Sequence, residues 1–226
     1  MGAGTFITFE GGEGAGKSTQ VQLLAERLRS HGYEVVVTRE PGGTPFAEQV
    51  RALILSPDVA AHAPLSEALL FYAARADHID KVIAPALQRD AVVLCDRFSD
   101  STRVYQSVAG GLPGTVLERL EEIVVGAMRP AVTIILDIDP VAGLARAEAR
   151  RGARAGGVSV GASAPVGDKY ERQGLAFHEQ LRAGFLALAH AEPSRCVVIE
   201  GNRPAETIAQ DIWRALARRL GLAEGA

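Results

Sequence analysis

Short runs of β-branched residues alternate with longer stretches of helical periodicity along this chain. Five runs predict strands: Thr5–Glu10 (TFITFE), Glu34–Thr38 (EVVVT), Ala91–Asp96 (AVVLCD), Val132–Asp137 (VTIILD) and Arg195–Glu200 (RCVVIE). Their apolar positions are continuous rather than alternating, which predicts strands buried on both faces. Between them the periodicity predicts helices over Lys17–His31, Pro64–Gln88, Thr115–Met128, Pro140–Arg151, Lys169–His190 and Pro204–Leu220. In the last of these, Ile208, Ile212, Trp213, Leu216 and Leu220 share one face. Regular β-α alternation predicts an α/β fold, a parallel sheet flanked by helices.

Composition narrows the function classes. The chain has 226 residues, 47% of them hydrophobic, which fits one globular domain over 1–226 and excludes a disordered chain. A net charge of −3 argues against a binder of nucleic acid polymers, so any anion chemistry must come from local clusters. No run is long and apolar enough for a membrane span, and the first residues do not read as a secretory signal. Cys95 and Cys196 lie in apolar runs and read as buried thiols in a reducing, cytoplasmic setting. One segment stands apart: Gly152–Gly167, rich in glycine, alanine and serine, reads as a flexible surface segment.

The strongest motif is Gly11-Gly12-Glu13-Gly14-Ala15-Gly16-Lys17-Ser18, followed by Thr19. It fits the G-x4-G-K-[S/T] phosphate loop, or P-loop. A buried strand runs into it and an apolar-periodic helix leaves it, as the chemistry requires. The glycines let successive N–H groups turn towards one phosphate, and the helix N-terminus adds its dipole. Lys17 then reaches the β- and γ-phosphates of ATP, and Ser18 sits on Mg²⁺. A guanine-selective switch would carry an N/T-K-x-D element; neither Lys81, followed by Ile83, nor Lys169, followed by Glu171, supplies one.

Three further segments follow strands or a helix that would end at the same sheet edge, where ligands of parallel sheets collect. They are Thr38–Thr44 (TREPGGT), Leu70–His78 (LFYAARADH) and Asp96–Thr102 (DRFSDST), with Tyr105-Gln106 close behind. They bring Arg39, Arg75 and Arg97 towards one phosphate site. Phe71 and Arg75 are four apart, so they share a helix face, and a ring beside a planar cation suits a flat base.

With these segments, FEGGEGAGKST at 9–19 and DKYE at 168–171, the chain resembles the thymidylate kinases, a family of P-loop nucleoside monophosphate kinases. The resemblance runs from the first strand to the last helix. It implies a P-loop NTPase fold with a five-stranded parallel sheet and a mobile lid at about 146–170. It also implies an acceptor region at about 39–78 and 96–106, and a homodimer; the helices at Pro64–Gln88 and Thr115–Met128 could supply its apolar surface or could simply be core. The implied activity is ATP-dependent, Mg²⁺-assisted phosphorylation of dTMP to dTDP. On the family pattern, Phe71 stacks on thymine, Arg75 meets its O4, and Thr102 lies at a base-contacting position. Tyr105 closes against the sugar, and Arg97, helped by Arg39, holds the acceptor phosphate. Glu13 reaches the sugar 3′-hydroxyl, and Asp96 acts on Mg²⁺. Ser101 and Gln106 belong to the same acceptor segments, and Tyr170, with Glu171 of DKYE, closes over the nucleotide to contact dTMP.

The P-loop here carries no arginine of its own. Arg146, Arg150, Arg151 and Arg154 cluster instead beside the glycine-rich segment, as in the family variant with lid arginines. Arg151 aligns with an adenine-stacking arginine of the family, and Arg154 is the expected cation over the transferred phosphoryl. The glycine-rich segment is longer than the family's lid and blurs the register before DKYE. Two other readings stay open at this point: a kinase of a different small acceptor, and a nucleotide-dependent switch that binds a protein partner.

Overall fold

The structure is a computed structural model of the chain. It describes residues 4–56, 58–60, 62–155, 169–170 and 172–220, except the side chains of 154 and 155.

Five strands, β1 (Thr5–Glu10), β2 (Val35–Arg39), β3 (Val92–Asp96), β4 (Val132–Asp137) and β5 (Cys196–Glu200), form one parallel sheet in the order β2-β3-β1-β4-β5. Of the three strands with a neighbour on each side, β1 and β4 have the bounds that the sequence pattern predicts to the residue, and β3 begins one residue later than expected. The edge strands correct the expectation of burial on both faces: β2 is half-buried to exposed throughout, and Val198 of β5 is exposed. An apolar run on an edge is continuous for its own pairing and packing, so periodicity alone does not separate it from a central strand.

Alternation along β1 divides the core. Ile7 and Phe9 face α1 (Lys17–Ser30) and α9 (Ala205–Leu220), in a cluster with Val21, Leu24, Leu28, Ile212, Trp213 and Leu216. Phe6 faces the other layer. There it packs with Tyr72 of α3 (Pro64–His78), with Ile83, and with Leu117 of α6 (Gly114–Val124). The helical run of 64–88 is one rod in three parts: α3, a π-helical turn over Ile79–Ile83, and α4 (Ala84–Gln88).

Two helical stretches go beyond the periodicity reading. Pro45–Leu55 forms α2, capped by the Thr44 hydroxyl accepting from the Ala47 N–H at 3.1 Å, with Pro45 at the first position. Ser99–Thr102 forms the short α5, which runs on as a π-helical segment over Arg103–Ala109. Helix α7 (Pro140–Ala155) continues past the expected end, so Gly152 is helical; the rest of the glycine-rich segment, 156–167, lies outside the described residues. Helix α8 (Leu175–Ala191) begins six residues later than expected.

Candidate active site

β1, β2 and β3 all end at one edge of a cavity of about 530 Å³, a size suited to a small ligand. The loop after β1 builds its floor. Gly11, Gly14 and Gly16 all have positive φ, which bends the backbone around the space a phosphate would take. At Gly14 the need is also steric: a Cβ there would lie 1.9 Å from the carbonyl oxygen of Gly143 in α7. Helix α1 starts directly after Gly16 with no side-chain cap and no acidic residue in its first turn. Its N–H groups are therefore open to an anion. Lys17 is buried and folds back over the loop, donating to the carbonyls of Gly11 at 3.2 Å and Gly12 at 2.8 Å. Burial and the nearby Arg97 cation lower its pKa.

Arg97 follows β3 with φ 69°, an uncommon conformation for a residue with a side chain. It turns the guanidinium back across the P-loop. Nη2 donates to Glu13 at 2.8 Å, and Nη1 donates to the Gly11 carbonyl and the Ser101 hydroxyl, both at 3.1 Å. Its cation also lies 5.1 Å from the Tyr105 ring centre. Burial works against ionisation of Glu13, yet Arg97 and Lys17 outweigh it and hold the carboxyl at about 2.

The turn that carries Arg97 is anchored from below by Glu10, the last residue of β1. Its buried carboxylate accepts from the Phe98 N–H at 2.8 Å and the Ser101 hydroxyl at 2.6 Å. Burial, followed by the neighbouring Asp100 charge, pushes Glu10 up to about 7. Asp100 in turn is fully buried and takes a two-pronged pair from Arg195, at 2.7 and 2.8 Å. Glu10, Asp100 and Arg195 went unnoticed in the sequence. A single acid at a strand's end is the only local signal for Glu10, and none links residues 100 and 195.

At the other end of the cavity lie Phe71 and Arg75, together as their spacing requires. Arg75 is almost fully buried between the rings of Tyr72 and Phe98, 4.8 and 5.2 Å from their centres. Its Nε donates to Glu40 at 2.8 Å and Nη2 to the Thr102 hydroxyl at 2.9 Å. Nη1 is buried with no hydrogen-bond partner among the described residues. Arg39 lines the cavity but is exposed and paired with Glu48 at 2.9 Å. Tyr105, Gln106 and Tyr170 form a wall: the Tyr105 and Tyr170 rings meet edge-on at 5.2 Å, and Gln106 donates to the Tyr170 hydroxyl at 3.1 Å. The Tyr170 hydroxyl donates to Glu67 of α3, which also pairs with Lys169.

Ser18 and Asp96 stand side by side on the cavity, the hydroxyl donating to the carboxylate at 2.5 Å. Of the α7 arginines, Arg150 lines the cavity. Arg146 is committed elsewhere, donating to the Gly201 carbonyl and to Asn202, both at 2.9 Å. Arg151 is half-buried and is not part of the cavity lining. The side chain of Arg154 lies outside the described residues, as do Asp168 and Glu171 of the DKYE segment. Arg51 also lines the cavity, donating to the Pro41 carbonyl at 2.8 Å. It sits on α2, a helix that apolar periodicity did not reveal.

Comparison with known proteins matches this arrangement to one family. The family model for thymidylate kinase matches residues 9–212. The thymidylate kinase of Caulobacter vibrioides is 50% identical over 222 residues, covering 98% of this chain and all of that one. That of Afipia carboxidovorans is 47% identical, covering 98% of this chain and 92% of that one. The crystal structure of thymidylate kinase from Ehrlichia chaffeensis superposes with a TM-score of 0.72 at 33% identity, covering 95% of this chain and 99% of that one.

Proposed function

The chain belongs to the thymidylate kinase family and phosphorylates dTMP to dTDP; from this premise we propose that ATP and dTMP meet end to end in the one cavity. What carries the arrangement is that a single space holds the P-loop at one end and the Phe71–Arg75 pair at the other, with the Arg97–Glu13 ion pair between them. Residues 11–19 hold the ATP phosphates through backbone N–H groups and Lys17. Thymine lies against Phe71, with Arg75 and Thr102 at its polar edge. Arg97, with Arg39 and Ser101, takes the acceptor phosphate. Glu13 keeps Arg97 aimed and reaches the 3′-hydroxyl, while Tyr105, Gln106 and Tyr170 close on the sugar.

The chemistry asks for little proton transfer. The nucleophile is a phosphate monoester with a second pKa of about 6, so it is already a dianion at neutral pH. No general base is needed. Catalysis is alignment of the acceptor oxygen with the γ-phosphorus, plus neutralisation of charge by Lys17 and Arg97. Arg150 adds a cation from α7, and Arg151 and Arg154 are proposed to join it from the lid at about 146–170.

Ser18 and Asp96 offer hard oxygen donors beside the P-loop, a set that fits Mg²⁺. Among the described residues no group of three or more acidic, histidine or cysteine side chains gathers, so such an ion would depend mainly on phosphate and water oxygens. Held there by Ser18 and Asp96, Mg²⁺ would supply positive charge to offset the charge of the ATP phosphates.

We also infer one kinase domain over 1–226, working as a homodimer in the cytoplasm. Exposed Leu65 and Leu69 on α3 and Ile123 on α6 support an apolar contact between copies. Two buried free thiols support a reducing compartment. Among the described residues no helix is long and apolar enough to cross a membrane.

A coupled ADP-release assay with dTMP, dUMP, dCMP, AMP and GMP as acceptors tests the substrate. The expected order puts dTMP first. A preference for any other acceptor would remove thymine from the Phe71–Arg75 end.

A further inference from the structure

Behind Arg75 lies a buried layer in which Glu40 reaches the cavity lining but His78 and Thr38 do not. Glu40, 4% exposed, divides its carboxylate between two donors: Oε2 takes Arg75 Nε at 2.8 Å, and Oε1 takes His78 Nδ1 at 2.9 Å. His78 is fully buried, and its other nitrogen, Nε2, lies 2.7 Å from the Thr38 hydroxyl. With Nδ1 donating to Glu40, Nε2 is held against the Thr38 hydroxyl at hydrogen-bonding distance. The ring has no freedom on that side. Gly43 has φ 88°, and a Cβ there would lie 2.6 Å from His78 Nε2. The TREPGGT turn and the end of α3 therefore clamp one imidazole.

This division of Glu40 matters for Arg75. An arginine and a carboxylate left to themselves favour a two-pronged pair, with Nε and Nη2 donating to the two oxygens. Here His78 occupies Oε1, so Glu40 meets Arg75 through Nε alone. Nη2 is then left to Thr102, at 2.9 Å, and Nη1 is left without a partner among the described residues. If Oε1 were released, it would turn to Nη2, displace Thr102 and rotate the guanidinium plane.

We propose that His78 is a specificity-positioning residue: by holding Oε1 of Glu40 it keeps Arg75 on a single Glu40 contact, so that Nη2 fixes Thr102 and Nη1 is presented to an exocyclic carbonyl of the acceptor base. Arginine can only donate, so a base with an amino group in that place leaves buried donors facing each other. His78 thereby acts on the choice between thymine and cytosine, through Glu40 and without touching either base. The inference rests on the proposed seating of thymine at Phe71 and Arg75.

The test exploits the two ring nitrogens. His78→Asn carries an amide N–H near the place of Nδ1 and keeps the donor to Glu40. His78→Gln reaches towards Thr38 and leaves Oε1 without it. With kcat and KM measured for dTMP and dCMP, His78→Asn should keep the dTMP/dCMP ratio of kcat/KM within about threefold of the unsubstituted enzyme. His78→Gln should lower that ratio by about tenfold or more, through a higher KM for dTMP and with kcat changed by less than about threefold. Equal ratios in both variants would overturn the proposal, because the ring would then only fill space. Should His78→Gln fail to fold, Thr38→Val decides: it should lower the ratio by about threefold, and an unchanged ratio overturns the inference. Arg75→Ala separates the two levels. If it abolishes the preference while His78→Gln does not, only the role of His78 falls; if Arg75→Ala leaves the preference intact, the seating of thymine falls with it.

Discussion

The guanidinium of Arg97 and the carboxylate of Glu13 meet at 2.8 Å across the mouth of the P-loop, tying the turn after β3 to the loop after β1. Both side chains are largely buried, and Arg97 is the main counter-charge of Glu13. An acceptor phosphate would therefore arrive at a cation that is already oriented. Arg97→Ala should lower kcat by roughly 100-fold or more, the range seen when a charge-stabilising donor is removed from a reacting centre. Arg97→Lys should recover little of it, because a single ammonium cannot serve Gly11, Ser101 and Glu13 at once. Steady-state kinetics beside a circular dichroism spectrum check this; near-normal turnover of Arg97→Ala would move the acceptor phosphate elsewhere.

The same pair makes stability depend on pH. Glu13 is held at about 2 in the folded chain against an ordinary 4.5. A depressed carboxylate contributes stability that is complete above the unfolded value and is lost as pH falls from about 4.5 towards 2. A shift of this size corresponds to about 3 kcal/mol in full, of which about 2 kcal/mol is lost between pH 6 and pH 3. Urea unfolding of the unsubstituted chain and of Glu13→Gln should show the variant less stable at pH 6, with the gap narrowing by about that amount at pH 3. A gap independent of pH would mean that Glu13 is not held ionised by Arg97 and Lys17.

Asp100 and Arg195 form a second ion pair, buried under the turn that carries Ser101 and Thr102. Removing Arg195 leaves buried Asp100 with only the longer ionic contact from Arg103, at 3.3 Å, among the described residues, so the cost is a part of the roughly 3–5 kcal/mol of a wholly stranded charge. Arg195→Met should therefore lower the urea midpoint sharply. Asp100→Asn combined with Arg195→Met should recover a large part of that loss, since the stranded charge is gone. Additive losses in the double variant would show that the pair is not coupled.

Much of this architecture is written in local pattern. The run TFITFE marks β1 to the residue because a central strand must be apolar on both faces. The P-loop and the Phe71–Arg75 spacing locate the two ends of the cavity because each depends on neighbours within one turn or helix. What periodicity misses has a common cause. Helix α2 is short and follows the glycine turn of TREPGGT, although Thr44-Pro45 is a start signal of its own. Glu40, His78, Asp100 and Arg195 matter through partners 35, 38 and 95 positions away, and only the sheet order makes them neighbours. Arg150 lines the cavity while Arg146 reaches the loop after β5, although four-residue spacing puts both on one helix face; they differ by one turn, about 6 Å, along the axis, and only the packing of α7 decides which of them reaches the site.

Ser18 and Asp96 give the last prediction. Their 2.5 Å contact brings a hydroxyl from the first turn of α1 against the carboxylate that ends β3. Neither is held by a larger acidic cluster among the described residues, so a divalent ion here would be weakly held without nucleotide and firmly held with it. Turnover should stop in excess EDTA and return with Mg²⁺. Ser18→Ala should raise the Mg²⁺ concentration for half-maximal rate by about tenfold, the scale on which loss of one oxygen donor weakens a hard-cation site. Asp96→Asn should do the same and also lower kcat, since it removes charge as well as a donor. Measuring rate against free Mg²⁺ at saturating ATP and dTMP separates the two effects. Unchanged turnover in EDTA, or an unshifted Mg²⁺ curve in both variants, would place the cation away from this pair and leave Lys17 and Arg97 as the principal charges at the transferred phosphoryl.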